Sequence, residues 1–497
     1  MQAPRGYGLR IKLALAVLLT ALADQLFYRQ VVGWTLGGFA IALVVAILAL
    51  QPAVRGDSRG RVALLLAAGF ALVQVEAPTW LGGSLVLIAL AVAVLSPRVA
   101  SGSDVLRWSH RLLYLVLAGL LAPVQDGLRL NGRVRTRRVA PIFRLSVLVL
   151  PVLGGGIFVA LFASANPVIG EALNALHPAP PDGMRVVFWL AILTSVWMFL
   201  RPRFLRRRPF VGPARATRAL PGVSVASVGL CLVTFNAIFA VENGLDIAFL
   251  WSGARLPAGV SFADYAHRGA YPLIATALLA GLFVLVALRP GSATAASPWL
   301  RRLVVLWVAQ NLLLVASSIQ RTLNYVEVYS LTSLRIAALI WMGLVGVGLV
   351  LICWRLLRAK SAGWLMNANA LAAGLVLALC SGVDLDAMSA EWNVVHAREV
   401  GGGAVPLDLR YLRSLGDAAL VPLSELATRH LPPALHDEVV KARAGALLSL
   451  AGRQQLWRGW TWRGQRRLER ANALVAGSGP TRLDARDDRR ARHAAAG

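Results

Sequence analysis

Eleven apolar stretches, each long enough to cross a bilayer, run through the first 380 residues of this chain, and arginine is spread very unevenly between them. Windows such as 11–27, 34–50, 142–163, 223–241, 270–288, 334–353 and 364–380 hold few or no charges. At about 1.5 Å per residue, 17 to 22 helical residues cover roughly 25–33 Å, the thickness of the hydrocarbon layer. Backbone in lipid must satisfy its own hydrogen bonds, and barrel strands would alternate polar with apolar, so these stretches are helices. The composition agrees. Hydrophobic residues make up 57% of the chain and charged residues 15%, against about 25% charged in soluble domains. The expected fold is all-α. It is a polytopic transmembrane bundle of about eleven spans, with one short interfacial or half-buried helix and a small extracytoplasmic helical tail.

The first span starts basic, with Arg5, Arg10 and Lys12, but no small-residue cleavage site follows before Asp24 and Arg29. It reads as a retained helix and not as a removable signal. The net charge of +27 would point to nucleic acid in a soluble protein. Here most of it is topological, and no nucleic-acid partner is expected. The three cysteines, Cys231, Cys353 and Cys380, all fall in apolar stretches without paired spacing. Neither a disulfide framework nor a metal site is indicated, and no cofactor is called for.

Arginine sets the orientation. With the N-terminus in the cytoplasm and alternating sides, 28 of the 34 Lys and Arg residues in 1–380 fall on the inner face. Retention of basic loops in the cytoplasm is the diagnostic quantity. The segment 112–124 tests the scheme, being apolar but only about 13 residues long, with Gly119 and Pro123 inside. If it spanned, the count would become 14 inside against 20 outside. It is therefore read as interfacial or half-buried, which leaves the C-terminal tail outside. The basic segments 125–141 and 201–221 are read as inner loops, with anionic lipid headgroups as possible partners.

The chain divides into an N-terminal transmembrane region (1–222), a second one with polar outer loops (223–380), a helical module (381–476) and a disordered tail (477–497). In the module, 408–427 and 436–476 show helical periodicity. Leu435, Val439, Val440, Leu447, Leu448 and Leu450 make an apolar face, and Leu431, Pro432 and Pro433 separate the two stretches. Trp457, Trp460 and Trp462, interleaved with arginine, are read as membrane-interface anchors. Asn236, Gln310, Asn311, Ser317 and Ser318 are expected to bond between helices. Glu76, at a span end, needs no partner in lipid.

Chemistry concentrates in the outer loops after residue 164. Glu242, Asp246, Asp264, Tyr265, His267, Arg268, Arg321, Tyr325 and Glu327 form a candidate outer-face pocket. Such a set could do acid–base work or clamp a phosphate. Equally, the groups could pair with each other and pin helix ends. No second His or Cys stands at metal-ligand spacing from His267, no nucleophile-elbow serine faces it, and Gly154-Gly155-Gly156 reads as close helix packing. No catalytic residue can be named.

The run 242–251, the motif Tyr265 to Pro272, the link 321–329, and Leu407 to Leu412 with Leu415 to Ala419 resemble a bacterial multi-pass membrane family known as domain of unknown function 4173. Trp462 to Arg467 is similar to that family's tail ending. The resemblance implies a bacterial integral membrane protein and no activity. The reading that follows is an inner-membrane protein, N-terminus cytoplasmic and tail extracytoplasmic. It would serve as an envelope scaffold or lipid/glycan-binding protein at the outer face. The alternative is a membrane transferase on a lipid-linked phosphate-containing substrate, with His267 as base and Arg268 and Arg321 on the phosphate. A secondary transporter is third, without the internal repeats that would favour it. Protein partners and oligomeric state are not legible.

Overall fold

The apolar windows become helices whose starts are set by short polar side chains. In a computed structural model that describes residues 8–99, 104–136, 182–202, 224–252, 279, 283 and 293–477, Asp57 caps one helix by accepting from Gly60 N and Thr79 caps the next by accepting from Gly82 N. Asp182, Thr332 and Ser361 do the same for later helices, and Ser224 with Ser227 forms a capping box. Each cap takes up an amide that the first helical turn leaves unbonded. The membrane part comprises α1 (Leu9–Phe27), α2 (Thr35–Leu50), α3 (Pro52–Gly56), α4 (Ser58–Glu76), α5 (Trp80–Leu95), α6 (Val105–Thr136), α7 (Gly183–Leu200), α8 (Val225–Asp246), α9 (Pro298–Tyr329), α10 (Ser333–Leu357) and α11 (Ala362–Gly382).

Seven of the described helices are long and apolar enough to cross a membrane: α4, α5 with the turn after it, and α7 to α11. The apolar α2 is shorter, at 16 residues, and α1 carries Arg10, Lys12 and Asp24. The expected eleven spans are thus not all present among the described residues. The one expected at 142–163 lies outside them, as do that at 270–288 apart from residues 279 and 283, the segment 201–221 beyond residue 202 and the tail beyond residue 477.

Helix ends meet on two opposite faces. On one, Lys12 Nζ and Gln51 Nε2 donate to Leu200 O at 3.0 and 2.7 Å, Ser96 Oγ donates to Asp57 at 2.6 Å, and Arg59 donates to Val99 O at 2.9 Å. The start of α1, end of α2, start of α4, end of α5 and end of α7 therefore lie together on this basic face. Trp34, Glu76, Asp182 and Gly382 lie at the other ends of their helices. α6 is where the sequence expectation is most altered. The short apolar helix at 112–124 is the middle of a 32-residue helix with Pro123 inside it. Hydropathy sees only the apolar middle; the flanking turns are polar and still helical. Val105 N donates to Asn367 near the start of α11 at 2.9 Å. Asp126 accepts from Trp197 at 3.1 Å and pairs with Arg201 at 3.3 Å, both at the end of α7. Both ends of this stretch thus meet helix ends of the basic face.

The module is built from α12 (Leu385–Val395), α13 (Leu409–Ser414), α14 (Leu420–Ala427), α15 (Pro433–Gln455) and α16 (Trp462–Gly477). It has cores of its own, one around Ala390, Val394, Leu412, Leu423, Leu426 and Val439, the other around Leu420, Leu450 and Ala471. Of the face read from the sequence, Val439 and Leu450 are buried, but Leu448 is 74% exposed. The periodicity of 436–476 is broken into two helices at 456–461. There the carbonyls of Trp457 and Trp460 turn away to accept from Trp34.

Candidate functional site

α8 and α9 run side by side in the same direction, since paired positions rise together along both. Asn236 Nδ2 donates to Leu303 O at 3.1 Å and Asn243 Nδ2 to Gln310 O at 3.3 Å. Gln310 Nε2 donates to Asn236 Oδ1 at 2.7 Å. Beyond α8, the π-turn Ile247–Trp251 carries Trp251, whose indole donates to Ser317 at 3.2 Å. Asn236, Gln310 and Ser317 thus bond between elements as expected, whereas Asn311 and Ser318 bond to carbonyls of their own helix.

The seam ends in charge. Arg321 Nη2 donates to Asp246, with side chains only 8% and 1% exposed, and half-exposed Glu242 lies 3.8 Å from the same nitrogen. The structure therefore brings Glu242, Asp246 and Arg321 together. Asp264, Tyr265, His267 and Arg268 lie outside the described residues. One turn after Arg321, Tyr325 stacks on Tyr329 with ring centroids 4.6 Å apart, and the Arg335 guanidinium sits 4.4 Å over the Tyr325 ring. Arg335 also donates to the carbonyls of Tyr329 and Ser330, which closes the turn between α9 and α10.

Glu327 faces elsewhere. It lines a cleft of about 310 Å³ between the bundle and the module, with Trp392, Asn393, His396 and the loop 402–406. The cleft's back wall is a fixed joint. Asn393 accepts from Leu331 N at 2.7 Å and donates to Leu331 O at 2.8 Å, and Tyr411 Oη accepts from Ser333 N at 3.1 Å.

At 456–461 the tail docks through its backbone. Trp34 N donates to Trp460 O at 2.8 Å and Trp34 Nε1 to Trp457 O at 2.7 Å. Gly33 permits this approach, because a Cβ there would lie 2.4 Å from Trp460 O. The indoles of Trp457 and Trp462 stay more than half exposed on the same face. α16 adds an arginine row. Arg463 and Arg466 pair with Glu76 at 3.5 and 2.5 Å, Arg463 donates to Gly382 O at 2.9 Å, and Arg467 pairs with Asp384 and with Asp417. Glu76, expected to need no partner at its span end, thus has two. They are supplied from residues almost 400 positions away, which no local pattern announces.

A second polar group on this face was also absent from the sequence reading. Asp24 accepts from Arg185 Nε and Nη2 at 2.9 and 2.6 Å and from Trp189 Nε1 at 2.8 Å. Beside it Asp182 accepts from Tyr28 Oη at 2.5 Å and pairs with Arg29 at 2.7 Å. The Tyr28 hydrogen bond, then the Arg185 backbone amide, hold the Asp182 carboxyl below the usual carboxylate range, and the same bond raises the Tyr28 phenol.

The family model described as a domain of unknown function, DUF4153, matches residues 60–426, well over half of the chain. This corrects the resemblance to domain of unknown function 4173, which is a different family. The motifs behind that resemblance are aromatic and charged residues at span ends. Such residues recur at membrane interfaces for general physical reasons, so they do not separate one polytopic family from another. The match runs instead through the helices from α4 to α14. No curated protein and no solved structure matches the chain.

Proposed function

The chain belongs to the DUF4153 family, whose description assigns no activity, and we propose from its own geometry that it is a membrane scaffold that holds a helical module rigidly at the outer face of a bacterial inner membrane. The observation that carries this reading is the number of separate joints between module and bundle. Asn393 and Tyr411 tie α12 and α13 to the α9–α10 turn. Trp457 and Trp460 tie the α15–α16 link to Trp34. The α16 arginines tie the same face to Glu76 and Gly382. Three joints fix a body in orientation as well as position, which a flexibly tethered enzyme domain does not need. All three lie on the face opposite Lys12, Arg59 and Arg201, and the positive-inside tendency supports reading the module as outside the cytoplasm. In this arrangement α1 and α2 also cross, and α6 lies along the inner face. Lipid and glycan ligands remain the chemistry expected at the outer face.

Phosphatase fusions test the orientation. A fusion after Ser381 is expected to be active and one after Arg138 silent. The reverse pattern would place the module in the cytoplasm and end the reading.

A further inference from the structure

The N-terminal bundle contains a cleft of about 700 Å³ that the module does not touch. That volume falls in the range of small-molecule sites, about 300–1,000 Å³. Its back is α2, with Leu36 and Leu43, and its sides are α5, with Leu87, and α7, with Phe188, Ile192 and Phe199. From the module-side helix ends the α2 wall runs from Leu36 to Leu43 and the α5 wall from Trp80 to Leu87, each roughly 10 Å at about 1.5 Å per residue. On α7 the lining continues to Phe199, next to the basic-face end of that helix. The α2 and α5 walls thus lie within the module-side half of a hydrocarbon layer about 30 Å thick, the depth of one leaflet.

The lining states the chemistry of the occupant. Its amide and hydroxyl side chains are already bonded to the protein. Gln74 donates to Thr79 O at 2.9 Å and accepts from Thr79 N at 2.7 Å. Ser84 and Ser195 each donate to the carbonyl four residues earlier at 2.8 Å, and Thr79 Oγ1 accepts from Gly82 N at 3.1 Å. With these groups satisfied and the rest of the wall apolar, apart from the exposed Trp80 indole, the cleft suits hydrocarbon. Its mouth differs. The Tyr28 ring packs against Phe188 with centroids 5.6 Å apart, tying the apolar wall to the Asp182–Arg29 pair. The Arg29 side chain is 75% exposed there, at the depth where lipid phosphates lie, and a guanidinium grips phosphate through paired donors.

We propose that this cleft holds an acyl chain of one phospholipid from the module-side leaflet, with the headgroup phosphate at Arg29. The inference names a ligand for the lipid-binding part of the reading above. The fusions report orientation and the experiment below reports occupancy, so either can fail alone. The full-length protein in mild detergent, weighed by native mass spectrometry, is expected to retain one phospholipid. Leu87→Trp/Ser195→Trp should lose that adduct, because both positions line the cleft and have room to fill it. Leu190→Trp should keep it, because Leu190 lies on the same helix, 58% exposed and away from the cleft. Arg29→Ala should lower retention several-fold while changing the melting temperature no more than loss of an exposed ion pair does. As a check independent of folding, a phospholipid with a photoactivatable acyl chain should label wild-type peptides of α5 and α7 at Leu87 and Ile192 above Leu190. Absence of retained lipid in the wild type, equal retention by the filled variant, uniform labelling along α7, or crosslinks from the cleft to a second copy of the chain would each overturn the proposal.

Discussion

The α8–α9 seam and the module's docking face solve the same problem in different solvents. In the seam, three amides and one ion pair hold two helices together, and nearly all of them are buried. Two amide oxygens there, Asn243 Oδ1 and Gln310 Oε1, are buried without a hydrogen-bond partner among the described residues. On the docking face, arginines 463, 466 and 467 share Glu76, Asp384 and Asp417 in a network that water reaches. A bond inside lipid has no water to replace it, so each one matters and few suffice. At the surface an exposed ion pair is worth about 0–1 kcal/mol and salt weakens it, so several are needed, with backbone bonds to fix the register. The seam should therefore fail through single residues and the docking face only by degrees.

The largest effect is expected at Arg321. Removing one member of a buried pair strands the other, at a cost of about 3–5 kcal/mol, while replacing both with apolar residues is often nearly neutral. Arg321→Met and Asp246→Asn should each lower the melting temperature of the detergent-solubilised protein sharply, and Arg321→Met/Asp246→Leu should recover most of the loss. This separates a structural pin from a ligand clamp. A pin loses function in step with stability, whereas a clamp leaves the rescued double variant stable and inactive in complementation. Stable single variants would remove the contrast with the docking face altogether.

A smaller effect is expected at Gly33. Its missing Cβ lets Trp460 O come close, and the blocking atom is backbone, which cannot swing aside. Overpacking of this kind costs about 1–3 kcal/mol. Gly33→Ala should open the 456–461 link to proteolysis and leave the Asn393 joint intact. A variant as protected as the wild type would mean that the arginine row alone seats the module. Adding salt to Gly33→Ala should then release more of it than adding salt to the wild type, because the remaining contacts there are ionic.

The fold was legible wherever one residue type repeats at the right spacing. Apolar windows placed α1, α2, α8, α10 and α11 to within a few residues, and the arginine bias grouped the helix ends that the structure gathers on one face. What was not legible is pairing across long separations. The sequence shows no need of a partner for Glu76 at its span end, and the partners it has, Arg463 and Arg466, lie in the tail. Trp34 was read as the edge of a span, yet it donates twice to the tail backbone. Trp457 and Trp460 were singled out for their rings, but their carbonyls do the docking. Asp246 with Arg321 was read as part of one cluster with Glu327. Two turns of helix separate Arg321 from Glu327, which turns instead toward His396 and Trp392. Sequence shows which residues are chemically unusual; which of them meet depends on helix rotation, which hydropathy in uniformly apolar helices does not encode.

The smallest expected effect compares two ion pairs that tie α7 to α1 and the turn after it. Asp24 is enclosed by Arg185 and Trp189, while Asp182 stands in the open with Tyr28 and Arg29. The Asp182 carboxyl is held below its usual range, first by the Tyr28 hydroxyl. A depressed carboxylate contributes its stability fully above its unfolded pKa, about 3.9 for Asp, and loses it as the pH falls through the folded value. Tyr28 is raised by the same bond. It therefore contributes below the ordinary phenol range and loses that contribution as the pH rises through its folded value. The bond is thus fully present at neutral pH and lost at both extremes. Melting temperatures of the wild type and Asp182→Asn should differ modestly near pH 7 and converge as the pH falls through the folded-state value, below which the carboxyl is protonated in both states. A difference that does not shrink as the pH is lowered through the acid range would show that Asp182 acts only as the helix cap of α7, and that the open pair adds nothing to what buried Asp24 already secures.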